Sequence, residues 1–340
     1  MKLRLAFLSL LLLGCATARS TPPPDLLHPL QQNAWYVRTR DKQARLFVTS
    51  LGKGPRVVVL HGGWGADLLY MVGAIEPHLA DHEFVLFDQR GSLLSPHEGK
   101  VEDLTVDKLV DDLEQLRVEL GDERLVLLGH SMGTRLAFEY ARRYPDRIAS
   151  LTLLGTFGPR GTGSDELWRT INGRATALSK RPEVAALMAR EGIPPERADD
   201  PPPPARVSTA RWKIGFAAVN IVRLENWRKV EGGMVFYRGD TGDALDGSAA
   251  KEWDLGAALG PRRVPVTVVQ GDQDYVDPAA SGWTTLTAEP LRSCVEVAVI
   301  RRAGHLAWVD DPSGVADGIR AGLARKECAV TSGPRPRPSR

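Results

Sequence analysis

The stretch LVLLGHSMGTRLAFEYARRYP, residues 125–145, constrains the fold more than any other part of the chain. It opens with a short aliphatic run, 125–128, bounded by Gly129, which reads as a strand covered on both faces. After Gly133, apolar residues return at helical spacing at Leu136, Ala137, Phe138 and Tyr140, and Pro145 ends the helix. Only a very tight turn fits between the two. Gly129 and Gly133 remove the Cβ atoms that would collide there, and the turn lifts the Ser131 hydroxyl clear of the sheet with a helix N-terminus behind it. G-x-S-x-G between a strand and a helix predicts a nucleophile elbow with Ser131 as the nucleophile.

Similar runs recur along the chain. Strands are expected at 35–40, 45–50, 57–60, 84–88, 151–154, 264–270 and 295–300, and helices at about 67–80, 105–120, 133–144, 279–289 and 313–326. Strands alternating with helices predict an α/β fold, a mostly parallel twisted sheet flanked by helices. The short polar turn at Asp41 and Lys42 predicts an antiparallel hairpin of the first two strands at one edge. The rhythm stops between 157 and 260, a stretch holding Trp168, Trp212, Trp227, Trp253 and four consecutive prolines from Pro201 to Pro204. It reads as a helical cap insertion over the C-terminal ends of the strands, where open α/β sheets hold ligands. The α/β core is then 35–156 and 261–326, with 157–260 as the insertion and 327–340 as a flexible tail. With 43% hydrophobic and 25% charged residues the composition is that of a soluble globular protein. The formal charge is only +2, with Lys2 and Arg4 included, and no run of like charge points to nucleic acid.

A serine hydroxyl needs a base, a group to orient that base, and donors for the developing oxyanion. The strand at 264–270 runs into Gly271-Asp272-Gln273-Asp274-Tyr275-Val276-Asp277-Pro278, which offers three carboxylates; Asp274 is the chosen acid, with Asp272 and Asp277 as turn-capping alternatives. The last strand leads to Gly304-His305, where a glycine turn carries the imidazole back over the sheet, so His305 is the expected base. His61-Gly62-Gly63-Trp64-Gly65 follows the strand at 57–60, and its small residues allow backbone N–H groups to approach an oxyanion. The expected donors are Met132 and either Gly63 or Trp64. A dinucleotide loop is excluded because the third glycine of G-x-G-x-x-G is missing. No Cys/His spacing suggests zinc, and no metal or organic cofactor is expected.

Serine, acid and histidine in this order, with G-x-x-D-x-x-x-P at the acid, resemble the α/β-hydrolase fold across about 35–326. The likeness is greatest to the proline iminopeptidase and serine aminopeptidase branch: HGGWG is similar to HGGPG, and DQRGSLLS at 88–95 is similar to DQRGSGRS. Asp88 and Arg90 are expected to brace loops. VRLENW at 222–227 resembles the cap stretch RIENHYF, whose glutamate binds the substrate's free α-amino group, and this resemblance gives Glu225 that role. It implies an aminopeptidase that releases N-terminal residues from short peptides through an acyl-enzyme. GHSMG also occurs widely among esterases and carbon–carbon hydrolases, so those activities with the same triad stay open. So does a non-catalytic envelope-binding lipoprotein on a hydrolase scaffold.

Residues 1–14 carry two cations and then an apolar run, 5–13, too short for a stable membrane span and suited to a signal peptide. The run ends in Leu-Leu-Gly-Cys, which resembles the lipobox of bacterial lipoproteins. That resemblance makes Cys15 the lipidated first residue of an exported, membrane-anchored chain, with Ala16 rather than Asp after it favouring the periplasmic face of the outer membrane. An ordinary cleaved signal is the alternative. Residues 15–34, with Pro22-Pro23-Pro24, read as a tether. The other two cysteines, Cys294 and Cys328, are open to a disulfide or to two separate thiols.

Overall fold

A computed structural model describes residues 33–162, 165–195, 201–232, 237–287 and 290–329. The expected signal peptide, 1–14, and Cys15 lie outside the described residues, as do most of the expected tether and residues 330–340. The first strands are β1 (Ala34–Arg38), β2 (Arg45–Gly52), β3 (Arg56–Leu60), β4 (Glu83–Phe87), β5 (Leu125–His130) and β6 (Ile148–Leu154). Between β6 and the rest of the sheet, β7 (Arg160–Thr162) and β8 (Glu252–Asp254) pair with each other, and β9 (Val266–Gly271) and β10 (Val295–Ile300) complete the main sheet.

Eight strands share that sheet in the order β1-β2-β4-β3-β5-β6-β9-β10. β1 and β2 are antiparallel to their neighbours, with Ala34 opposite Thr49 and Val48 opposite Phe87, and every other pair is parallel. This is the mostly parallel α/β sheet that the spacing predicts, in the α/β-hydrolase arrangement that the resemblance implies. From β3 the chain goes first to β4 on one side and later to β5 on the other. The sheet's topological switch point therefore lies between β3 and β5, and a crevice opens there at the carboxyl ends of the strands.

The strands are apolar throughout because both faces are covered. In β3, Val58 and Leu60 enter one core, while Val57 and Val59 enter the other. The first core is roofed by α1 (Val106–Glu119), capped by the Thr105 hydroxyl, and by α2 (Met132–Arg143). Leu109, Leu113, Leu136 and Tyr140 supply much of its packing.

Residues between β6 and β9 fold mainly as α3 (Asp165–Ser179), α4 (Pro182–Arg190), α5 (Ala205–Asn220), a 3-10 turn at Leu224–Lys229 and α6 (Gly239–Ser248). The expectation of an insertion without strands missed β7 and β8. Each is only three residues long, too short to leave a period-2 pattern. On the opposite face α7 (Pro312–Ala324) starts at Asp311, whose side chain accepts the Gly314 N–H. It packs closely because Gly318 and Gly322 have no Cβ to strike Val269 and Thr152.

Two of the expected helices are shorter than their patterns suggest. The stretch 67–80 breaks into one-turn pieces at Leu69–Met71, Val72–Ile75 and Glu76–His78, the last containing Pro77. Among the described residues of 279–289 only Ser281–Thr284 is α-helical, since Ala279 and Ala280 take left-handed backbone angles. Cys294 and Cys328 form a disulfide. With the Ala329 N–H donated to Ser293 O, it fixes the chain through Ala329, past the point where the tail was expected to become flexible.

Candidate active site

The turn after β5 has the geometry that its glycines predict. Ser131 adopts φ 53° and ψ −123°, a strained conformation for a residue with a side chain. A Cβ on Gly133 would lie 2.2 Å from Leu60 O, and one on Gly62 would lie 2.6 Å from the Ser131 Cβ. The loop after β3 is therefore in direct contact with Ser131, the expected nucleophile.

His305 follows β10 and is 3% exposed. Its Nδ1 lies 2.9 Å from both carboxylate oxygens of Asp274, which is fully buried. The same carboxylate accepts the Val276 N–H at 2.8 Å and the Gln270 amide at 2.9 Å, so its orientation is set from several sides. Of the alternative acids, Asp277 caps its own turn, accepting the Ser281 hydroxyl and the Gly282 N–H, whereas Asp272 joins two loops by accepting the Ala303 N–H. Among the described residues the buried Nε2 of His305 has no hydrogen-bond partner. Ser131 and His305 line one cavity, an arrangement in which the hydroxyl–imidazole bond can tighten once substrate is present. Gly155, at φ 53°, allows this crowding, since a Cβ there would lie 2.9 Å from both the His130 and His305 rings.

Gly62 and Gly63 also line the cavity. Among the described residues no hydrogen bond uses the Gly63 N–H, and the Met132 N–H, first in α2, has no intrahelical acceptor. Gly63 lines the cavity and Trp64 does not, so Gly63 is the better placed of the two expected backbone donors. The neighbouring loop is locked by Asp88, whose two oxygens accept the Leu68 and Leu94 N–H groups at 2.9 Å, and by Arg90, which forks onto Asp112. Both brace loops, as expected.

Glu225 is not brought to the site. It is exposed on the 3-10 turn, and it does not line the cavity. Leu224 and Trp227 take the buried positions of that turn and leave the glutamate facing solvent.

Two other carboxylates line the cavity, and sequence reasoning missed both. Asp67 is 5% exposed; burial, with the charge of Asp88, pushes its carboxyl up to about 6. Its Oδ1 accepts the Leu69 N–H at 2.7 Å. Glu231 stands at the rim with an accessible surface, and burial followed by the charge of Glu76 raises its pKa as well. Gly232 brings this segment over Asp67, since a Cβ there would be 3.9 Å from Asp67 Oδ2. Trp212, Phe216, Tyr237 and Tyr275 supply aromatic wall, with Trp212 and Phe216 stacked at 5.1 Å. The available signal for Asp67 was a carboxylate two residues beyond HGGWG, in a loop that has to approach the nucleophile. Glu231 had no such signal.

Among the described residues there is no cluster suited to a metal ion and no helix long and apolar enough to cross a membrane. The chain is 27% identical over 281 residues to proline iminopeptidase of Neisseria meningitidis serogroup B, covering 75% of this chain and 84% of that protein. In structure it is similar to a proline iminopeptidase-related protein from Thermus thermophilus (TM-score 0.60, 25% identity, 86% of this chain and 97% of that one). A thermophilic esterase from Thermogutta terrifontis shares the fold at TM-score 0.59 and 24% identity, covering 86% of this chain and 98% of that one. Residues 55–312 match the family described as alpha/beta hydrolase fold, and with the eight-stranded sheet and its serine turn they make this chain a member of that family.

Proposed function

We propose that the chain is a serine aminopeptidase that releases N-terminal residues, proline among them, from short peptides. The observation that carries this reading is the buried Asp67 carboxylate on the same cavity as Ser131. An ammonium group brought there would meet an ionised, nearly dry partner, with Glu231 at the rim and aromatic faces around it. A free α-amino group anchored a short distance from the nucleophile defines an exopeptidase. The proline iminopeptidase relatives support the same class.

In this mechanism Ser131 Oγ attacks the carbonyl carbon while His305 Nε2 takes its proton, and Asp274 accepts the Nδ1–H of the imidazolium. The Gly63 and Met132 amides stabilise the tetrahedral oxyanion. Collapse expels the leaving amine with the proton returned by His305, and water, deprotonated by the same imidazole, resolves the acyl-enzyme.

A panel of proline and alanine anilides beside their N-acetylated forms and short acyl esters tests the reading. Free-amino anilides should be turned over and their N-acetyl forms should not. Turnover of esters alone would replace it with a carboxylesterase using the same triad, and absence of labelling by a fluorophosphonate would leave only a non-catalytic binding protein.

We also propose export with a lipid on Cys15, supported by the leader sequence. Intact mass of membrane-extracted protein should show a chain beginning at Cys15 with added acyl mass.

A further inference from the structure

Two side chains beside the site, Tyr70 and His130, take no part in the chemistry above, yet they join three loops that do. His130 is 2% exposed, and its Nε2 lies 3.1 Å from the carbonyl oxygen of His305. A carbonyl only accepts, so Nε2 carries the proton. In a neutral ring Nδ1 is then an acceptor, and it lies 2.8 Å from the Tyr70 hydroxyl. The phenol therefore donates to His130, and its oxygen accepts the Gly62 N–H. Burial, followed by the nearby His305, holds His130 well below its ordinary pKa, which keeps the ring neutral and the chain of donors in one direction. Trp308 closes the arrangement, stacked on Tyr70 at 6.1 Å and edge-on to His130 at 5.0 Å.

We infer that Tyr70 and His130 are positioning residues for the oxyanion loop. Their hydrogen bonds run from the His305 backbone through the turn before Ser131 to the Gly62 N–H. They hold the His61–Gly62 peptide and, one Cα further on, limit the rotation of the next peptide, whose Gly62 carbonyl accepts from His61 Nδ1 at 3.0 Å and which presents the Gly63 N–H. Gly62 N–H is engaged by the phenol, which leaves its neighbour for the substrate. Donors of this kind act by being held in place before charge develops. Loosening the 62–63 peptide should therefore weaken the transition state and leave ground-state binding nearly unchanged. This inference rests on Ser131 as nucleophile and needs no amine recognition.

The test uses the full chain and p-nitrophenyl acetate, a substrate without an amine. Tyr70→Phe, which removes only the hydroxyl, should lower kcat/KM by about tenfold or more, less than the roughly hundred- to thousandfold cost of deleting an oxyanion donor, because the Gly63 N–H is loosened and not removed. The affinity of phenylboronic acid, whose serine adduct is tetrahedral, should fall in parallel. His130→Ala should reproduce the loss, and His130→Asn, which restores an acceptor near the Nδ1 position, should recover part of it. The double variant Tyr70→Phe/His130→Ala should be no worse than the poorer single one, because the two act in series. Parent-like kcat/KM in Tyr70→Phe, or a loss of activity with boronate affinity unchanged, overturns the inference. Both results are distinct from failure of the nucleophile assignment, which would appear as ester hydrolysis surviving Ser131→Ala.

Discussion

Replacing Asp67 with asparagine separates amine recognition from folding. In the parent, burial raises the Asp67 carboxyl from its ordinary 3.8 to about 6, so at neutral pH the protein carries an ionised group that its surroundings disfavour. At ~1.4 kcal/mol per pH unit, that difference amounts to ~3 kcal/mol of stability forgone at pH 7. The sign follows from linkage. Between about pH 4 and 6 the folded chain binds more protons than the unfolded one, so Asp67 makes stability fall as pH rises through that window, and the deficit is fully present above it. The asparagine side chain keeps an oxygen for the Leu69 N–H and removes the charge. Asp67→Asn should accordingly be more stable than the parent at pH 7, by on the order of 1–3 kcal/mol, and the gain should vanish toward pH 4.

The same variant should lose activity on one class of substrate only. A charge-assisted hydrogen bond between carboxylate and ammonium contributes ~1.5–3 kcal/mol, or roughly ten- to a hundredfold in kcat/KM. That loss should appear with proline and alanine anilides and be absent with p-nitrophenyl acetate. The parent's ratio of anilide to ester kcat/KM should also decline as pH drops through about 6, where Asp67 takes up its proton. This ratio should be independent of pH in the variant, since the limb that His305 imposes as base is common to both substrates. Urea melts at about pH 7 and pH 4.5, on either side of that titration, with kinetics on both substrates, supply all the measurements. Equal losses on anilide and ester, or a variant less stable than the parent at neutral pH, would refute the reasoning, since either result makes Asp67 a structural acid.

Ser131→Ala should lower kcat by at least about a thousandfold without a change in melting temperature. Glu225→Gln should leave kcat/KM unaltered on free-amino and ester substrates alike, because the side chain is exposed and off the cavity. Gly133→Ala places a Cβ 2.2 Å from Leu60 O, a backbone atom that cannot rotate away, and should destabilise the fold by ~1–3 kcal/mol or more in a urea melt.

The hydrolase core was legible because its signals are local. The strand before Ser131, the glycines around it and the helix after it lie within one short window. The acid and the histidine are each tied to the end of a buried strand. Glu225 was misplaced because its assignment rested on a likeness of six residues, and a six-residue turn does not reveal which of its faces meets the core; here Leu224 and Trp227 took that face. Asp67 and Glu231 come together through the path of residues 230–232 over the loop after β3, and no sequence period records such a crossing. The Cys294–Cys328 pairing depended in the same way on distance in space, across 34 residues.

The insertion and the catalytic loops are bound by shared hydrogen bonds as well as by packing. Asp310 is 1% exposed, and one of its oxygens accepts the Gly304 N–H, next to His305, and the Val222 N–H, both at 2.9 Å. Its other oxygen accepts the Arg223 N–H at 2.8 Å, and the Leu306 N–H is donated to Asn220 O. Gly304 is required for this approach, because a Cβ there would lie 2.7 Å from Asn220 O. The segment that follows α5 is thus fastened to the two residues flanking His305, and a displacement of one would disturb the other. From the same segment the chain continues through the 3-10 turn to Glu231 and Gly232, over Asp67. The carboxylates proposed to hold the amine and the imidazole proposed to move the proton therefore share one frame. Such a frame can keep the anchored amine in register with Ser131 to the fraction of an ångström that attack on a carbonyl demands.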